Sequence, residues 1–176
     1  LNLKRCVLTT LLVDNGSTDG SDKVLKLFKS KVGKYQYLQN KENLGFAEGN
    51  NVGIRYALNK GADFVLLLND DTILDENLVN DLLEVFSRFP KAGILAPKIF
   101  FAKGFEFHKN RYKKDELGQV IWYAGGDIDW KNIYGTNHGV DEVDKGQFDE
   151  VVDTDFATGC CMLIRREVLK EIGDLE

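Results

Sequence analysis

Two short acidic segments stand directly after apolar stretches of this 176-residue chain. Asp14 follows the stretch Cys6–Val13, and the run Asn69–Asp71 follows the stretch Phe64–Leu68. Apolar runs of this length that end in turn residues predict buried strands. Ligands of open α/β sheets bind beyond the carboxyl ends of the strands, so we expect the two acidic segments to meet at one sheet edge.

Carboxylates that crowd one sheet edge repel one another unless a cation or a donor-rich ligand lies among them. Mg²⁺ and Mn²⁺ prefer oxygen ligands, and they often bridge a protein carboxylate to the phosphates of a substrate. We therefore predict a site for a nucleoside diphosphate whose leaving phosphate is neutralised by one of these cations. Taken singly, each segment is also compatible with an ordinary turn or strand exit, and the coincidence of the two favours a ligand site.

A third polar group opens a predicted helix. Asn43, Gly45 and Asn51 lie around its first turns, where free backbone N–H groups favour anions. The same helix carries Gly49 and Gly53 on one face, and each glycine weakens a helix by about 1 kcal/mol relative to alanine. We expect close packing or a ligand against that face.

Strand and helix patterns alternate through the first hundred residues. The predicted strands are Cys6–Val13, Tyr35–Leu38, Phe64–Leu68 and Gly93–Ile99, and the predicted helices follow a cap at Ser21, cover Ala47–Leu58 and follow a cap at Asp75. This alternation predicts an α/β fold with a doubly wound, mostly parallel sheet. The stretch Gly104–Asp149 is rich in Gly, Asp, Lys and aromatic residues, and we interpret it as a long functional excursion. Regularity returns at Phe156–Ile164, and a helix begins at Arg165.

The composition excludes several functional classes. Hydrophobic residues make up 43% of the chain and charged residues 29%, which is typical of a globular protein. The net charge of −5 and the scattered basic residues argue against a nucleic-acid partner. The three cysteines lack metal-ligand spacing and indicate a reduced, cytoplasmic setting. No signal peptide is visible, and the longest apolar run is too short to span a bilayer.

Four motifs, in this order, resemble those of family 2 glycosyltransferases. They are VDNGSTDGS (Val13–Ser21), NLGFAEGNN (Asn43–Asn51), LLLNDDT (Leu66–Thr72) and DFATGCCMLIRREVL (Asp155–Leu169). Within that family the chain is most similar to rhamnosyltransferase-like members of bacteria and archaea, which build surface polysaccharides. The resemblance implies a GT-A fold, and an inverting, metal-dependent transfer of a sugar from a nucleotide-diphospho-sugar donor to a polysaccharide or lipid-linked acceptor.

The resemblance also implies roles for individual residues. The positions that match the family's nucleotide-sugar-binding residues are Asp14, Gly45, Asn51, Asn69 and Asp70. Asp14 would contact the base or ribose, and Asp71 would bind Mg²⁺ or Mn²⁺ as part of the DXD motif. Asn69 replaces the first acidic residue of that motif, so the site has one negative charge fewer and a lower expected metal affinity. Residues 1–103 would form the nucleotide-sugar-binding part, and residues 104–176 the acceptor-side part of the same domain.

Two elements of the family pattern have no counterpart in the chain. A first strand and helix precede the VDNGSTDGS motif in the family, and the catalytic base follows the counterpart of Gly173–Glu176. We therefore expect a GT-A fold that is incomplete at both ends, with the base beyond Glu176 and Asp155 as the first alternative within the chain. Residues 1–176 alone are expected to be poorly soluble, because an unpaired strand edge would be exposed. They are also expected to show no sugar transfer, because the base would lie outside them.

Other interpretations stay open at this point. A sugar nucleotidyltransferase shares the doubly wound sheet but needs a basic residue in its first phosphate loop, which DNGSTDGS lacks. A phosphoacceptor receiver domain has no place for the stretch Gly104–Asp149. A nucleotide-sugar-binding module without catalysis also fits the motifs. His138, Asp141, Trp122 and Trp130 are compatible both with acceptor contact and with ordinary loop or core positions. We expect a cytoplasmic protein that acts at the inner face of the membrane and associates with it peripherally.

Overall fold

The computed structural model describes residues 6–27 and 34–176. Its strands are β1 (Thr9–Asp14), β2 (Lys34–Gln39), β3 (Phe64–Leu68), β4 (Ile94–Leu95), β5 (Ile99–Phe100), β6 (Ile121–Tyr123), β7 (Gly126–Asp129), β8 (Tyr134–Asn137) and β9 (Cys161–Arg165). Its helices are α1 (Ser21–Leu27), α2 (Gly45–Asn59), α3 (Leu78–Arg88) and α4 (Arg166–Ile172), with a short 3₁₀ helix at Lys109–Arg111. The predicted α/β class is confirmed. The apolar pattern of the helix predicted to follow Ser21 continues to Phe28 and Val32, and these two residues lie outside the described residues.

The described strands form four small sheets, where the sequence predicted one doubly wound sheet. β1 pairs with β2 in parallel, as predicted, with Asp14 opposite Gln39. The other sheets have the orders β3-β9-β4, β5-β6 and β7-β8. The predicted strand at Gly93–Ile99 is two short strands, β4 and β5, separated by Ala96, Pro97 and Lys98. A proline has no N–H for the ladder, so it interrupts pairing where the apolar pattern alone predicts continuity.

The chain divides into two compact units, each described here by itself. The first takes in the described residues of Leu1–Leu67, Asp75–Gly93 and Leu163–Glu176, and the second comprises Leu68–Leu74 and Ile94–Met162. The two units are defined by which residues pack together. The predicted division into a nucleotide-sugar-binding part (1–103) and an acceptor-side part (104–176) concerns which ligand each part binds, and it stays a prediction.

The core of the first unit forms around α3. Val79, Leu82 and Phe86 are its buried positions, and their helical spacing gives α3 one apolar face toward the core. The Phe86 ring stacks on Phe64 at 5.3 Å, and the Arg165 guanidinium lies 4.2 Å from the Phe86 ring centroid. The predicted cap was two residues too early, because the helix is preceded by Asn77 and the Asp75 carboxylate accepts the Asn77 N–H in the turn before it.

The glycine face of α2 packs closely against the end of β1, as expected. A Cβ at Gly49 would lie 2.8 Å from the Asn15 side-chain nitrogen, and a Cβ at Gly53 would lie 3.1 Å from a Val13 methyl group. Neither position has room for a side chain without movement of its neighbour. The two glycines therefore bring α2 close to the loop that follows β1.

The second unit contains the stretch between β5 and β9. Val120, Ile121 and Tyr123 are almost fully buried, and the Tyr123 hydroxyl donates to the Phe156 carbonyl at 2.7 Å. β7 and β8 form an antiparallel hairpin, and Trp130 at its tip is 76% exposed. Among the described residues, no helix has the length and apolar character needed to cross a bilayer.

Candidate active site

The Asp14 carboxylate is buried at the carboxyl end of β1 and is held by several donors. Its Oδ1 accepts the Ser17 N–H at 2.8 Å, and its Oδ2 accepts the Tyr37 hydroxyl at 2.6 Å. Burial and the contact with Asp14 raise the pKa of Tyr37 to about 12, so the phenol stays protonated and continues to donate. A weaker contact of 3.4 Å comes from the Gln39 amide. Only 2% of Asp14 is exposed.

The adjacent residue, Asn15, connects three segments of the first unit. Its Nδ2 donates to the Asn43 side chain at 3.0 Å and to the Gly45 carbonyl at 2.9 Å. Its Oδ1 accepts from the Asn40 side chain at 3.0 Å and from the Leu44 N–H at 3.1 Å. The loops after β1 and β2 and the start of α2 are therefore held together by one amide side chain.

Asp14 and Gly45, two of the predicted nucleotide-binding positions, thus lie on the same connected loops. Gly45 is exposed, has a φ of +79°, and its N–H donates to the Asn43 side chain at 2.9 Å. Sequence analysis did not single out Asn15, although a turn asparagine directly after a strand is a position from which side chains commonly bond to nearby backbone.

Asn51 lies deeper in the first unit, with 2% of its surface exposed. Its Nδ2 donates to the Leu175 carbonyl at 2.8 Å and to the Glu48 carboxylate at 3.2 Å. Its Oδ1 accepts the Leu175 N–H at 2.8 Å. The structure therefore places Asn51 against the chain that follows α4.

The run Asn69–Asp71 forms the turn after β3 and belongs to the second unit. The Asn69 N–H donates to the Cys160 carbonyl at 2.9 Å, and the Thr72 hydroxyl donates to the Asn69 carbonyl at 2.8 Å. Burial and the nearby Asp71 charge raise the pKa of the Cys160 thiol. That this turn meets the Asp14 loop at one sheet edge stays a prediction.

The carboxylates of Asp70 and Asp71 are both exposed, and within the described residues neither has a hydrogen-bond or ion-pair partner. Residues 6–27 and 34–176 contain no cluster of three or more His, Cys, Asp or Glu side chains placed to hold a metal ion. Mg²⁺ usually takes only one or two protein carboxylates and completes its shell with water and substrate phosphates. Two unpartnered carboxylates in a fixed turn fit a cation of that kind.

The remaining singled-out residues lie in the second unit. Asp155 is exposed, and its carboxylate accepts the Ile128 N–H at 2.9 Å. His138 contacts the Asp127 carboxylate at 2.8 Å, and His108 contacts the Asp141 carboxylate at 2.6 Å. These contacts show how the loops between β6 and β9 are held, and they leave the predicted acceptor contact of His138 and Asp141 untested.

Polar side chains thus follow the parallel strand β1 and surround the start of helix α2, which is the region where open α/β sheets bind their ligands. The family model described as Glycosyl transferase family 2 matches residues 1–173. The chain belongs to glycosyl transferase family 2.

Two curated proteins are similar to this chain at low sequence identity. The low-salt glycan biosynthesis hexosyltransferase of Haloferax volcanii is 26% identical over 140 residues, which are 79% of this chain and 40% of that protein. The N-acetylglucosaminyl-diphospho-decaprenol L-rhamnosyltransferase of Mycobacterium tuberculosis is 24% identical over 180 residues, which cover 96% of this chain and 55% of that protein. The chain thus spans about half the length of these relatives. No solved structure gives a significant match to the chain.

Proposed function

We propose that this chain is the donor-binding part of an inverting, GT-A-type glycosyltransferase that moves a sugar from a nucleotide-diphospho-sugar to a polysaccharide or lipid-linked acceptor. The observation that carries the proposal is the polar loop system of Asp14, Asn15 and Gly45, found after a parallel strand pair in a family 2 chain. Both relatives are named for sugar transfer, and one is named for an acceptor on decaprenol diphosphate. We include a nucleotide-diphospho-rhamnose among the proposed donors, because one relative is named a rhamnosyltransferase.

In this proposal Asp14 and the start of α2 recognise the nucleotide. Asp14 already accepts the Ser17 N–H and the Tyr37 hydroxyl, so its main contribution to base or ribose recognition is to hold the loop that follows β1 in place. Gly45 begins α2 and its own N–H donates to the Asn43 side chain, while the backbone N–H groups that follow in the first turn have no helical partner and favour a diphosphate. Asn69 and Asp70 are proposed to complete the donor contacts.

Asp71 would hold Mg²⁺ or Mn²⁺. A cation bound there supplies positive charge that neutralises the diphosphate leaving group. Asp71 suits this position because it is exposed and has no partner among the described residues. The turn that carries it is fixed by the bond from the Asn69 N–H to the Cys160 carbonyl.

The chemistry is a single displacement. The acceptor hydroxyl loses its proton to a general base, its oxygen forms a bond to the anomeric carbon, and the nucleoside diphosphate leaves with the electron pair of the broken bond. We propose that the base lies on residues beyond Glu176. Asp155 is the alternative within the chain, and its acceptance of the Ile128 N–H leaves the rest of its exposed carboxylate available.

We further propose that the protein is cytoplasmic and contacts the inner face of the membrane through the β7–β8 hairpin. Trp130, Ile133 and Tyr134 are 76%, 84% and 53% exposed at and beside its tip. The backbone N–H groups of Lys131 and Asn132 donate to the Asp129 carboxylate. These two donors therefore need no water partner when the tip contacts the membrane surface. Sedimentation with phosphatidylcholine vesicles tests this contact, and equal binding of wild type and Trp130→Ser would contradict it.

The decisive experiment is metal-dependent transfer by the full-length protein with a panel of nucleotide sugars and Mn²⁺. We expect Asp71→Asn to lower kcat/KM by roughly 100-fold or more, since a group that stabilises developing charge is lost. Glu76→Gln, an exposed carboxylate five residues further on, is the matched control and should leave the rate unchanged. Full activity of Asp71→Asn would remove the metal assignment. If the wild type binds nucleotide but transfers no sugar, the result would favour a nucleotide-sugar-binding module without catalysis.

A further inference from the structure

One face of α2 holds the chain that follows α4. Glu48, Asn51 and Arg55 recur at helical spacing on this face, and all three take part in contacts with one another or with the pair Asp174 and Leu175. Arg55 forms an ion pair with Asp174 at 2.5 Å and a second ion pair with Glu48. We call the contacts of Asn51 and Arg55 with Asp174 and Leu175 the α2 clamp.

The central contact of the α2 clamp is a two-way amide pairing. Asn51 donates to the Leu175 carbonyl and accepts the Leu175 N–H, both at 2.8 Å, as a neighbouring strand would. The second Nδ2 hydrogen is directed to Glu48 at 3.2 Å. With 2% of its surface exposed and both amide hydrogens donated, Asn51 has no donor left for a diphosphate. The Arg55 and Asp174 side chains are 44% and 41% exposed, so their ion pair adds little by comparison.

A different face of α2 packs against the end of β1 and the loop that follows it. Gly49 lies against the Asn15 side chain and Gly53 against Val13. Asn15 in turn holds the Leu44 N–H and the Gly45 carbonyl. A single helix therefore joins the polar loops after β1 and β2 to the segment at residues 174 and 175, with close packing at one face and buried hydrogen bonds at the other.

We infer that Asn51 is a positioning residue, which fixes the chain after α4 relative to the Asp14 and Asn15 loops, and that it does not contact the nucleotide. This inference rests on the proposed function, in which the residues that follow Glu176 supply the base. Such a base must be held within a fraction of an ångström of the acceptor hydroxyl, and a displacement of about 1 Å can cost roughly 100-fold in rate. The α2 clamp provides that restraint.

The test compares full-length wild type with Asn51→Leu, which removes all three side-chain hydrogen bonds at similar volume. We measure the Kd of nucleoside diphosphates with Mn²⁺ by calorimetry, kcat and donor KM in transfer, and hydrogen exchange at the Leu175 amide. We expect Kd and donor KM to stay within about twofold, kcat to fall by roughly 100-fold, and exchange at Leu175 to accelerate. Asn50→Ala is the matched control, because Asn50 donates only to the Phe46 carbonyl within α2.

The outcomes separate this inference from the proposed function. A weaker nucleotide Kd with unchanged kcat would overturn it, as would unchanged kcat with accelerated exchange. If Asn51→Leu fails to fold, Asn51→Ala decides with the same readouts, and the same fall in kcat and the same faster exchange at Leu175 are expected. If the wild type shows no transfer, the proposed function is refuted. The role of Asn51 is then decided by two measurements on Asn51→Leu. Weaker nucleotide binding would indicate contact with the nucleotide, and faster exchange at Leu175 with unchanged binding would indicate positioning.

Discussion

The carboxylates of Asp14 and Asp71 both follow strands, but their surroundings differ. Asp14 is 2% exposed and accepts from Ser17 and Tyr37. Asp71 is exposed, and the described residues offer it no partner. A carboxylate with bound donors organises the loop around it, whereas a carboxylate without partners is available to a cation. We therefore expect substitution of Asp14 to change both stability and nucleotide binding, and substitution of Asp71 to change sugar transfer with little effect on stability.

We expect Asp14→Ala to lower the free energy of unfolding by about 1–3 kcal/mol, because it leaves the part-buried Ser17 N–H and Tyr37 hydroxyl without their acceptor. It should also raise the donor KM while the folded state persists by circular dichroism. Urea unfolding and steady-state kinetics on the full-length protein check both effects. Tyr37→Phe is the control, since it removes one donor and keeps the carboxylate. Loss of stability with an unchanged donor KM would make Asp14 a turn residue only.

The partners of Asp14 show where prediction from residue types reaches its limit. Asp14 itself was predicted from its place after an apolar stretch. Tyr37 and Gln39 were not, because their contact depends on the register that sets Leu12 opposite Tyr37 and Asp14 opposite Gln39. Residues two apart on a strand share a face, so this register alone brings both side chains to the Asp14 carboxylate.

At the scale of elements, α2 illustrates a conflict between local preference and packing. Alanine is the better helix former by about 1 kcal/mol, yet a Cβ at Gly49 would meet the Asn15 amide at 2.8 Å. We expect Gly49→Ala to lower the free energy of unfolding by about 1–3 kcal/mol through overpacking. Gly53→Ala is the comparison, and it should cost less because its neighbour is a Val13 methyl group at 3.1 Å. Thermal unfolding measures both, and greater stability of Gly49→Ala would show that Asn15 moves freely.

The loop that carries Glu106 predicts a pH dependence. Burial raises the pKa of this carboxyl, but bonds from its own N–H and from the Gly118 and Gly104 N–H groups, together with the Lys109 charge, lower it, so the pKa lies below its usual value of 4.5. A depressed pKa in the folded state stabilises the protein above pH 4.5, and this contribution is lost as the pH falls through the lowered value. Glu106→Gln should therefore be less stable than wild type at neutral pH, and the difference should shrink below pH 4.5.

Urea unfolding across this pH range measures the effect of Glu106→Gln. Asp115→Asn is the control, because Asp115 is an exposed carboxylate in the same loop and its replacement should leave the stability unchanged. A constant difference between Glu106→Gln and wild type at all pH values would mean that the Glu106 charge is not what stabilises the loop.

For the whole molecule, donor binding should appear as thermal stabilisation. A ligand at 100 times its Kd stabilises the folded state by about 2.7 kcal/mol, which is roughly 5–10 °C in Tm for a domain of this size. We expect this shift for one of the common nucleoside diphosphates with Mn²⁺ in the full-length protein, and a smaller shift with EDTA or in Asp71→Asn. An equal shift in the presence of EDTA would show that nucleotide binding needs no divalent cation.

The sequence by itself determined the family, the α/β class and most element positions, because these depend on local patterns: apolar runs, helical spacing and turn residues. It also placed Asp14, Gly45 and Asp71 in loops after strands or at a helix start. Only the tertiary structure decided which donors surround Asp14, that Asn15 holds three segments together, and that the Asn51 amide pairs with Leu175, 124 residues away in sequence. The physical reason is that a polar side chain bonds to whatever donors and acceptors the fold brings within about 3 Å, and sequence spacing does not specify those neighbours.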